Sequence, residues 1–434
     1  MSGPPRGDQA PAGGAMRSVA DQRARVLDAV APLPTTVLPL AEAHGLRLAQ
    51  DMTAAIAVPT WDNSAMDGYA VRAGDIAAAT HEHGITLRIV ADLPAGSGDD
   101  PHLAPGEAAR IMTGAVVPTA ADAVVPLEQT DRDDPMAPLA ETVTVYRAPG
   151  TGQHLRRAGE DLVAGDPVLA AGSLATGAAL SALAATGHGT VRVHRRARVA
   201  VIATGSELVR PGEPLTRGLI PDSNSLLVAG LVREHGGEVV AVRHVDDDAA
   251  HLAEALRQVS QAPEPPDVVV LTGGVSEGAF DPVKQLFTGA GGVEFARVRM
   301  QPGKPQAFGR LGDAVLFGLP GNPVSAWVSF HVFVAPALAV MHGMPRERAA
   351  PPAVPGVAGA DWGTPPGRDQ YLPARISTRD DRVLVATPVA ALGSKSHLVA
   401  SLAQASGYAI VPAAVDHITR GDAVSIVRTS LETP

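Results

Sequence analysis

The chain contains no cysteine. Disulfides, zinc ribbons, iron–sulfur clusters and cysteine nucleophiles are therefore excluded, and any thiol chemistry must come from a ligand. Aromatic residues make up only 3%, so the cores must be built from Val, Leu, Ala and Ile. Lysine is nearly absent as well. Lys284, Lys304 and Lys395 are the only three among 35 basic residues, the rest being arginine. A compact ammonium is not equivalent to a guanidinium, so each lysine that persists is a mild pointer to function. No apolar run approaches the ~20 residues needed to span a bilayer. Residues 1–15 are rich in Gly, Pro and Ala, with no basic start before an apolar stretch. They read as a disordered tail and not as a signal peptide, so a cytoplasmic location and no membrane partner are expected. Positive charge is in deficit too. The formal net charge of −10 argues against a nucleic-acid partner, because phosphate neutralisation needs clustered Lys and Arg. A small anionic ligand needs only a local positive site.

What is present is 45% apolar residues, 45 glycines and 38 prolines spread over 434 residues. The length suggests about three domains, and the Gly and Pro content suits short strands and tight turns. Val19 to Ala31 has helical spacing ended by Pro32, and a second short helix fits Leu40 to His44. Leu48 to Val71 reads as extended segments broken by Pro59. ITLRIV (85–90), AARIM (108–112), AVVPL (123–127) and TVTVY (142–146) read as short strands between Gly, Pro and Asp clusters. Residues 166–187 read as a strand end and a helix stopping at Gly187.

After Arg198 the pattern changes to strand–helix alternation. RVAVIAT, EVVAVRHV, DVVVLT and AVLFGL are strand-like. Residues 223–236, 248–261 and 323–341 are helix-like, the first with a Ser or Asn cap. This alternation predicts βαβ units and a mostly parallel, doubly wound sheet. Residues 343–364 read as a Pro- and Gly-rich linker, and the remainder as a small β domain. No internal repeat of 20–50 residues is present.

In open parallel sheets ligands bind beyond the carboxyl ends of the strands, and three strand ends here carry unusual loops. ATGSEL offers the hydroxyls of Thr204 and Ser206, close backbone approach at Gly205 and the carboxylate of Glu207. TGGVSEGAFDPVK offers Gly273, Gly274 and Ser276 as an anion nest, with Asp281 and Lys284 as nearby opposite charges. GLPGNPVSA places Gly321 and Asn322 before a helix whose free N–H groups favour an anion. One glycine turn after a strand is ordinary; three in one sheet suggest a phosphorylated ligand. Glu207 and Asp281 would be the carboxylates for Mg²⁺, which takes one or two of these with phosphate oxygens. Neither the P-loop pattern GxxxxGK followed by Ser or Thr nor GxGxxG after a strand occurs, which argues against a P-loop kinase or a dehydrogenase. His81 and His83 lack a third ligand and read as a solvated loop. Asp246, Asp247 and Asp248 fit either a metal site or the acidic first turn of a helix.

These motifs resemble the molybdopterin molybdenumtransferase family and the homologous C-terminal domain of gephyrin. The resemblance rests on DNSAMDGYAV (62–71), RIMTGAVVP (110–118), RRAGEDL (156–162), ATGSEL (203–208), TGGVSEGAFDPVK (272–284), MQPGKPQAFG (300–309) and GLPGNPVSA (318–326). They occur in the family order and cover about residues 16–430. The family implies multi-domain α/β plus β architecture. Its parts would be a tail (1–15), an elongated discontinuous domain (16–58 and 156–194), an inserted β-rich domain (59–155), an α/β molybdopterin-binding domain (195–343) and a C-terminal barrel-like β domain (344–434). It implies a homodimer whose cleft lies between the α/β domain of one subunit and the inserted domain of the other.

The resemblance also implies the chemistry: molybdate is inserted into adenylylated molybdopterin with Mg²⁺, and AMP is released. Asp62, Thr113, Asp161, Glu207, Asp246 and Asp281 fall on positions linked to activity, with Asp246 added to Glu207 and Asp281 as metal candidates. Lys304 sits in the PGKP loop, where a cation can hold molybdate or phosphate, and Pro320 and Pro323 shape the third loop. Ser206 stands where the family often has Asp, and Gln301 where it often has Lys. Glu277 and Phe280 are local variations in the second loop. A molybdopterin adenylyltransferase is the expected partner enzyme. The rival readings are that adenylyltransferase activity itself, which DNSAMDGYA and the extra β regions argue against, and a non-enzymatic scaffold as gephyrin also is.

Overall fold

The structure, a computed structural model, describes residues 16–275, 282–288, 292–390 and 398–429. Its centre is a six-stranded sheet. In chain order the elements are β1 (Arg198–Thr204), α1 (Asn224–Glu234), β2 (Glu238–Val245), α2 (Ala249–Ser260), β3 (Val268–Thr272), α3 (Pro282–Phe287), β4 (Val293–Arg297), β5 (Pro305–Leu311), β6 (Ala314–Leu319) and α4 (Pro323–Met341). The strand order is β2-β1-β3-β6-β5-β4. The first four strands run parallel, with Val199 opposite Val268 and Val201 opposite Val270. The last two are antiparallel additions at one edge.

β1, β3 and β6 are continuous apolar runs because both of their faces are covered. Alternate side chains serve different layers. Val199, Val201, Val268 and Val270 pack under α1 and α4, while Ala200, Ile202, Val269 and Leu271 pack under α2 and α3. Each fully buried aliphatic side chain of this kind contributes about 1.5–3 kcal/mol of transfer free energy. The N-terminal helix Val19–Asp28, capped by Ser18 Oγ accepting from Asp21 N, joins the first of these layers through Val19, Val26 and Leu27. It packs here although the sequence groups it with the strands that follow it. α4 corrects the statement that no apolar run is long enough for a membrane. It is 19 residues long with mean hydropathy 1.8, and 94% of it is buried inside the protein. Ser325, Ser329 and His331 interrupt the run in the sequence but are themselves buried.

Residues 63–156 contain a mixed five-stranded sheet of Ala123–Pro126, Gly68–Val71, Glu107–Ile111, Ile85–Leu93 and Thr142–Val145, in that spatial order. Apolar clusters cover both of its faces. The chain enters and leaves this sheet along a narrow antiparallel ribbon, tied at Val58 to Leu162, Asn63 to Arg156 and Ser64 to Leu155. Beyond the ribbon, Thr35–Pro39 pairs with Thr190–His194 and Met52–Thr53 with Pro167–Leu169, around a small core that includes Leu48 and Leu183.

At the other end Asp369–Thr378, Leu384–Pro388, Val354–Ala358, Ala423–Arg428 and Gly407–Val411 form a closed five-stranded barrel, the last strand pairing back to the first. The supposed linker at 343–364 is therefore corrected. It holds the helix Arg346–Ala349 and the barrel strand Val354–Ala358, and it buries Trp362, whose Nε1 donates to Gln370 Oε1 at 2.9 Å. Gly356 misled the reading. A Cβ there would collide with Ile426 Cδ1 and the Leu384 carbonyl, so the glycine permits close strand packing and is not a sign of slack.

Candidate active site at the carboxyl ends of the parallel strands

From β1 the chain crosses to β2 on one side of the sheet, then to β3 on the other. The carboxyl ends of β1 and β3 therefore flank a topological switch point, where a crevice opens. All three loops picked out in the sequence reach it. Gly273 makes this possible. Its φ is +90°, and an added Cβ would lie 2.6 Å from the Thr204 carbonyl oxygen and 2.8 Å from Thr204 Oγ1. A Cβ on Gly321 would lie 3.4 Å from Gly273 Cα, so the third loop rests on the second. Asn224 Nδ2, at the start of α1, donates to the Gly321 carbonyl at 2.6 Å and fixes the third loop to that helix. Pro320 is buried, whereas Gly321 and Asn322 are exposed at the mouth. Pro323 opens α4 and Asn322 makes no side-chain cap, so the first-turn N–H groups of a 19-residue helix face outward for an anion.

Three buried polar atoms at this edge have no partner within the protein: Asn224 Oδ1, Ser225 Oγ and Thr272 Oγ1. An unsatisfied buried group costs about 1–3 kcal/mol. Three together are a cradle for a ligand that offers both N–H donors and acceptors. Neither Asn224 nor Ser225 stands out in the sequence, because PDSNS before a helix has the form of an ordinary cap. Asp222 does the capping, accepting from Ser225 N at 3.0 Å. A second Asn or Ser after a satisfied cap was the available signal.

The first loop is clamped from β2. Ser206 N donates to Asp247 Oδ2 at 2.9 Å, and Asp247 N donates to Ser206 Oγ at 3.1 Å. Gly205 N donates to the Val245 carbonyl, and His244 Nε2 lies 2.9 Å from the Gly205 carbonyl. The Glu207 carboxylate folds over Gly205, where an added Cβ would be 2.6 Å from its Oε2. Of the acidic triplet it is thus Asp247 that supports this loop. Asp246 turns away to His251 Nδ1, 2.9 and 3.0 Å from its two oxygens, and that hydrogen bond holds its carboxyl below the usual range. Asp248 caps α2. Ser276 and Asp281 lie outside the described residues. No group of three or more His, Asp or Glu side chains fit to hold a metal ion occurs among the described residues.

Lys284 sits half-buried on α3, and Lys304 half-buried in the PGKP loop. That loop is anchored to α4, since Gln306 Nε2 donates to both the Gly303 carbonyl and Ser329 Oγ at 2.7 Å. Gln301, which begins it, keeps a buried Oε1 with no partner.

The remaining candidates belong to the ribbon and the sheet beyond it. Asp62 accepts from Ala158 N at 2.7 Å and Arg157 Nη1 at 2.5 Å, which together hold its carboxyl below the usual carboxylate range. Thr113 is exposed and its N–H donates to Asp67 Oδ1 at 2.6 Å. Asp161 is exposed, with its backbone N–H on the Val58 carbonyl. DNSAMDGYA thus folds as a knot whose two Asp side chains hold the loops at 113 and 158.

Comparison with known proteins agrees with this architecture. Residues 17–187 match the family model described as the MoeA N-terminal region (domain I and II). Residues 200–340 match a probable molybdopterin binding domain, and 355–428 the MoeA C-terminal region (domain IV). The chain is 39% identical over 417 residues to molybdopterin molybdenumtransferase 2 of Mycobacterium tuberculosis, covering 95% of this chain and 99% of that one. It is 34% identical over 396 residues to the molybdopterin molybdenumtransferase of Haemophilus influenzae, covering 91% and 94%. Among solved structures, the molybdopterin biosynthesis MoeA protein of Pyrococcus horikoshii superposes with a TM-score of 0.76 at 27% identity, covering 95% of this chain and all of that one.

Proposed function

We propose a reaction and a division of labour for a chain that belongs to the molybdopterin molybdenumtransferase family, and whose activity is the insertion of molybdenum into molybdopterin. The substrate form is adenylylated molybdopterin, and AMP leaves as molybdenum from molybdate is bound by the two dithiolene sulfurs. The observation that carries this reading is the unpartnered trio Asn224 Oδ1, Ser225 Oγ and Thr272 Oγ1 beside the Gly273 loop. A pterin presents N–H donors and ring acceptors to such a set. The first-turn N–H groups of α4 at Asn322 and Pro323, with the Gly273–Gly274 backbone, suit the phosphates.

The chain supplies no sulfur nucleophile. Its contribution is positioning and charge stabilisation. Glu207 lies over the first loop, and its carboxylate is of the kind that holds Mg²⁺ together with phosphate oxygens; Asp281 is the second candidate by motif, whereas the carboxylate of Asp246, the third, is engaged by His251. Bound Mg²⁺ would neutralise charge on the pyrophosphate. Lys304 is the candidate cation for molybdate, and Lys284 for phosphate. Thr204, Gly205 and Ser206 line the phosphate side, and the sequence motif adds Ser276 as a candidate.

Asp62, Thr113 and Asp161 take their partners from the ribbon and inserted sheet. We assign them to the active cleft of a second copy, in a homodimer. The exposure of Ile56, Trp61 and Val163 on the same ribbon supports a contact there. A molybdopterin adenylyltransferase is the partner that would deliver the substrate.

The test is AMP release by the purified protein given adenylylated molybdopterin, Mg²⁺ and molybdate. Molybdate-dependent AMP release with formation of active cofactor is expected. Pyrophosphate release from ATP and molybdopterin would instead identify the preceding adenylyl transfer, and binding without turnover would identify a scaffold.

A further inference from the structure

At the opposite edge of the sheet, where the strands begin, lies a cavity of about 630 Å³. Five arginines line it: Arg47, Arg196, Arg233, Arg348 and Arg428. One carboxylate, Glu234, lines it with them, in a chain whose overall charge is −10. None of the five guanidiniums forms an ion pair with a carboxylate among the described residues. Arg47 Nη1 donates to the Gly172 carbonyl at 2.9 Å, Arg196 Nη1 to that of Gly236 at 3.0 Å and its Nη2 to that of His44 at 3.5 Å, and Arg233 Nη1 to that of Ala229 at 3.3 Å. These bonds use one or two N–H groups per guanidinium and leave most of each five-donor fork available. Burial, and after it the charge of Arg348, lowers the pKa of Arg47. Five like charges are thus held together with one carboxylate, Glu234, in the same lining.

Part of the rest of the wall is apolar. Ala335, Ala339 and Met344 contribute to it, and the His235 and His331 rings meet edge to face at 5.4 Å. Burial keeps these imidazoles neutral, pushing His331 down to about 3 and His342 to about 4. His342 Nε2 accepts from Ala197 N at 2.9 Å, so its proton sits on Nδ1, which lies on the side of Gly236. α4 makes one π-helical turn at Phe330–Val334, where His331 lines the cavity. Such turns recur at functional sites.

We propose that this cavity binds a phosphorylated small molecule with at least two phosphates and a flat ring, of the nucleoside polyphosphate class, separately from the crevice. Guanidinium forks match phosphate oxygens bidentately, and the volume is that of a small-ligand pocket. The two sites are not one. α1 starts at Asn224 in the crevice and ends at the cavity, a rise of about 15 Å for its 11 residues.

The experiment is titration calorimetry of the full chain with ATP in EDTA-containing buffer, and with inorganic triphosphate, in an Asn224→Ala background that weakens binding at the crevice. Saturable binding of ATP is expected, with affinity falling as salt rises. Arg348→Gln combined with Arg428→Gln should weaken it at least 10-fold without changing the melting temperature of the free protein. Both arginines are exposed; should that pair fold poorly, Arg196→Gln with Arg233→Gln serves in its place. Equal affinity with and without the arginines would overturn the proposal, as would no binding of either probe at millimolar concentration.

Discussion

Asn224 has two tasks that a single substitution separates. Its Nδ2 holds the third loop through Gly321, while Oδ1 remains for the ligand. Asn224→Asp keeps the shape but removes the donor and adds negative charge beside the phosphates. AMP release should fall at least 10-fold, with a stability loss of about 0.5–1.5 kcal/mol from the lost hydrogen bond to the Gly321 carbonyl, read by urea unfolding. Gly273→Ala tests the convergence of the loops. Its Cβ would press on the Thr204 backbone in a left-handed conformation, so substrate binding should be lost while the fold, by circular dichroism, survives. The buried histidines give a pH prediction. His331 and His342 titrate at about 3 and about 4 in the folded chain, below the ~6.5 of an unfolded histidine. The unfolded state therefore binds protons first on acidification. The stability is intact above about pH 6.5 and is lost progressively down to about pH 3. His331→Phe should flatten that part of the melting temperature profile; an unchanged slope would show that other groups control it.

Among the elements, β1, β2, β3, β6, α1, α2 and α4 were legible because each is a long apolar run or a long amphipathic repeat between turn signals. β4 and β5 were not. VEFAR is a half-buried edge strand and PQAFGRL its antiparallel neighbour, and they follow each other without a helix, so the alternation that announces parallel strands does not cover them. The barrel strand Val354–Ala358 was hidden by its own Pro355 and Gly356, which read as breakers until the close approach of Ile426 is seen. Gly356→Val should therefore be severe in a strand where valine otherwise has high propensity. We expect a melting temperature lower by several degrees and poor barrel closure, against a near-neutral effect for Val357→Ile. The three glycine loops of the candidate site were visible as motifs. The Asn224–Ser225 pair was not, because a polar residue at a helix start has a local task in most proteins, and only three-dimensional packing shows when that task is already filled by Asp222.

For the molecule as a whole, the family motifs were legible from end to end, yet they fall into two groups that different parts of the chain support. Glu207 belongs to the crevice, and Asp62 to the ribbon and the sheet beyond it. If a second copy completes the cleft, inactive Glu207→Ala and Asp62→Ala variants should complement each other when unfolded, mixed and refolded together. Random pairing makes half of the dimers mixed, each with one intact cleft, so about one quarter of wild-type activity should return. No recovery in mixed dimers, verified by differential tags, would place both residues in one chain's site. The ribbon that carries Asp62 has a mechanical meaning of its own. Two strands lying side by side, cross-tied at Val58–Leu162 and Asn63–Arg156, behave like a leaf spring: supple across the thin direction and stiff along the width. Any swing of the inserted sheet about this ribbon would follow a single arc, which carries Thr113 along it while Asp62 stays with the spring itself.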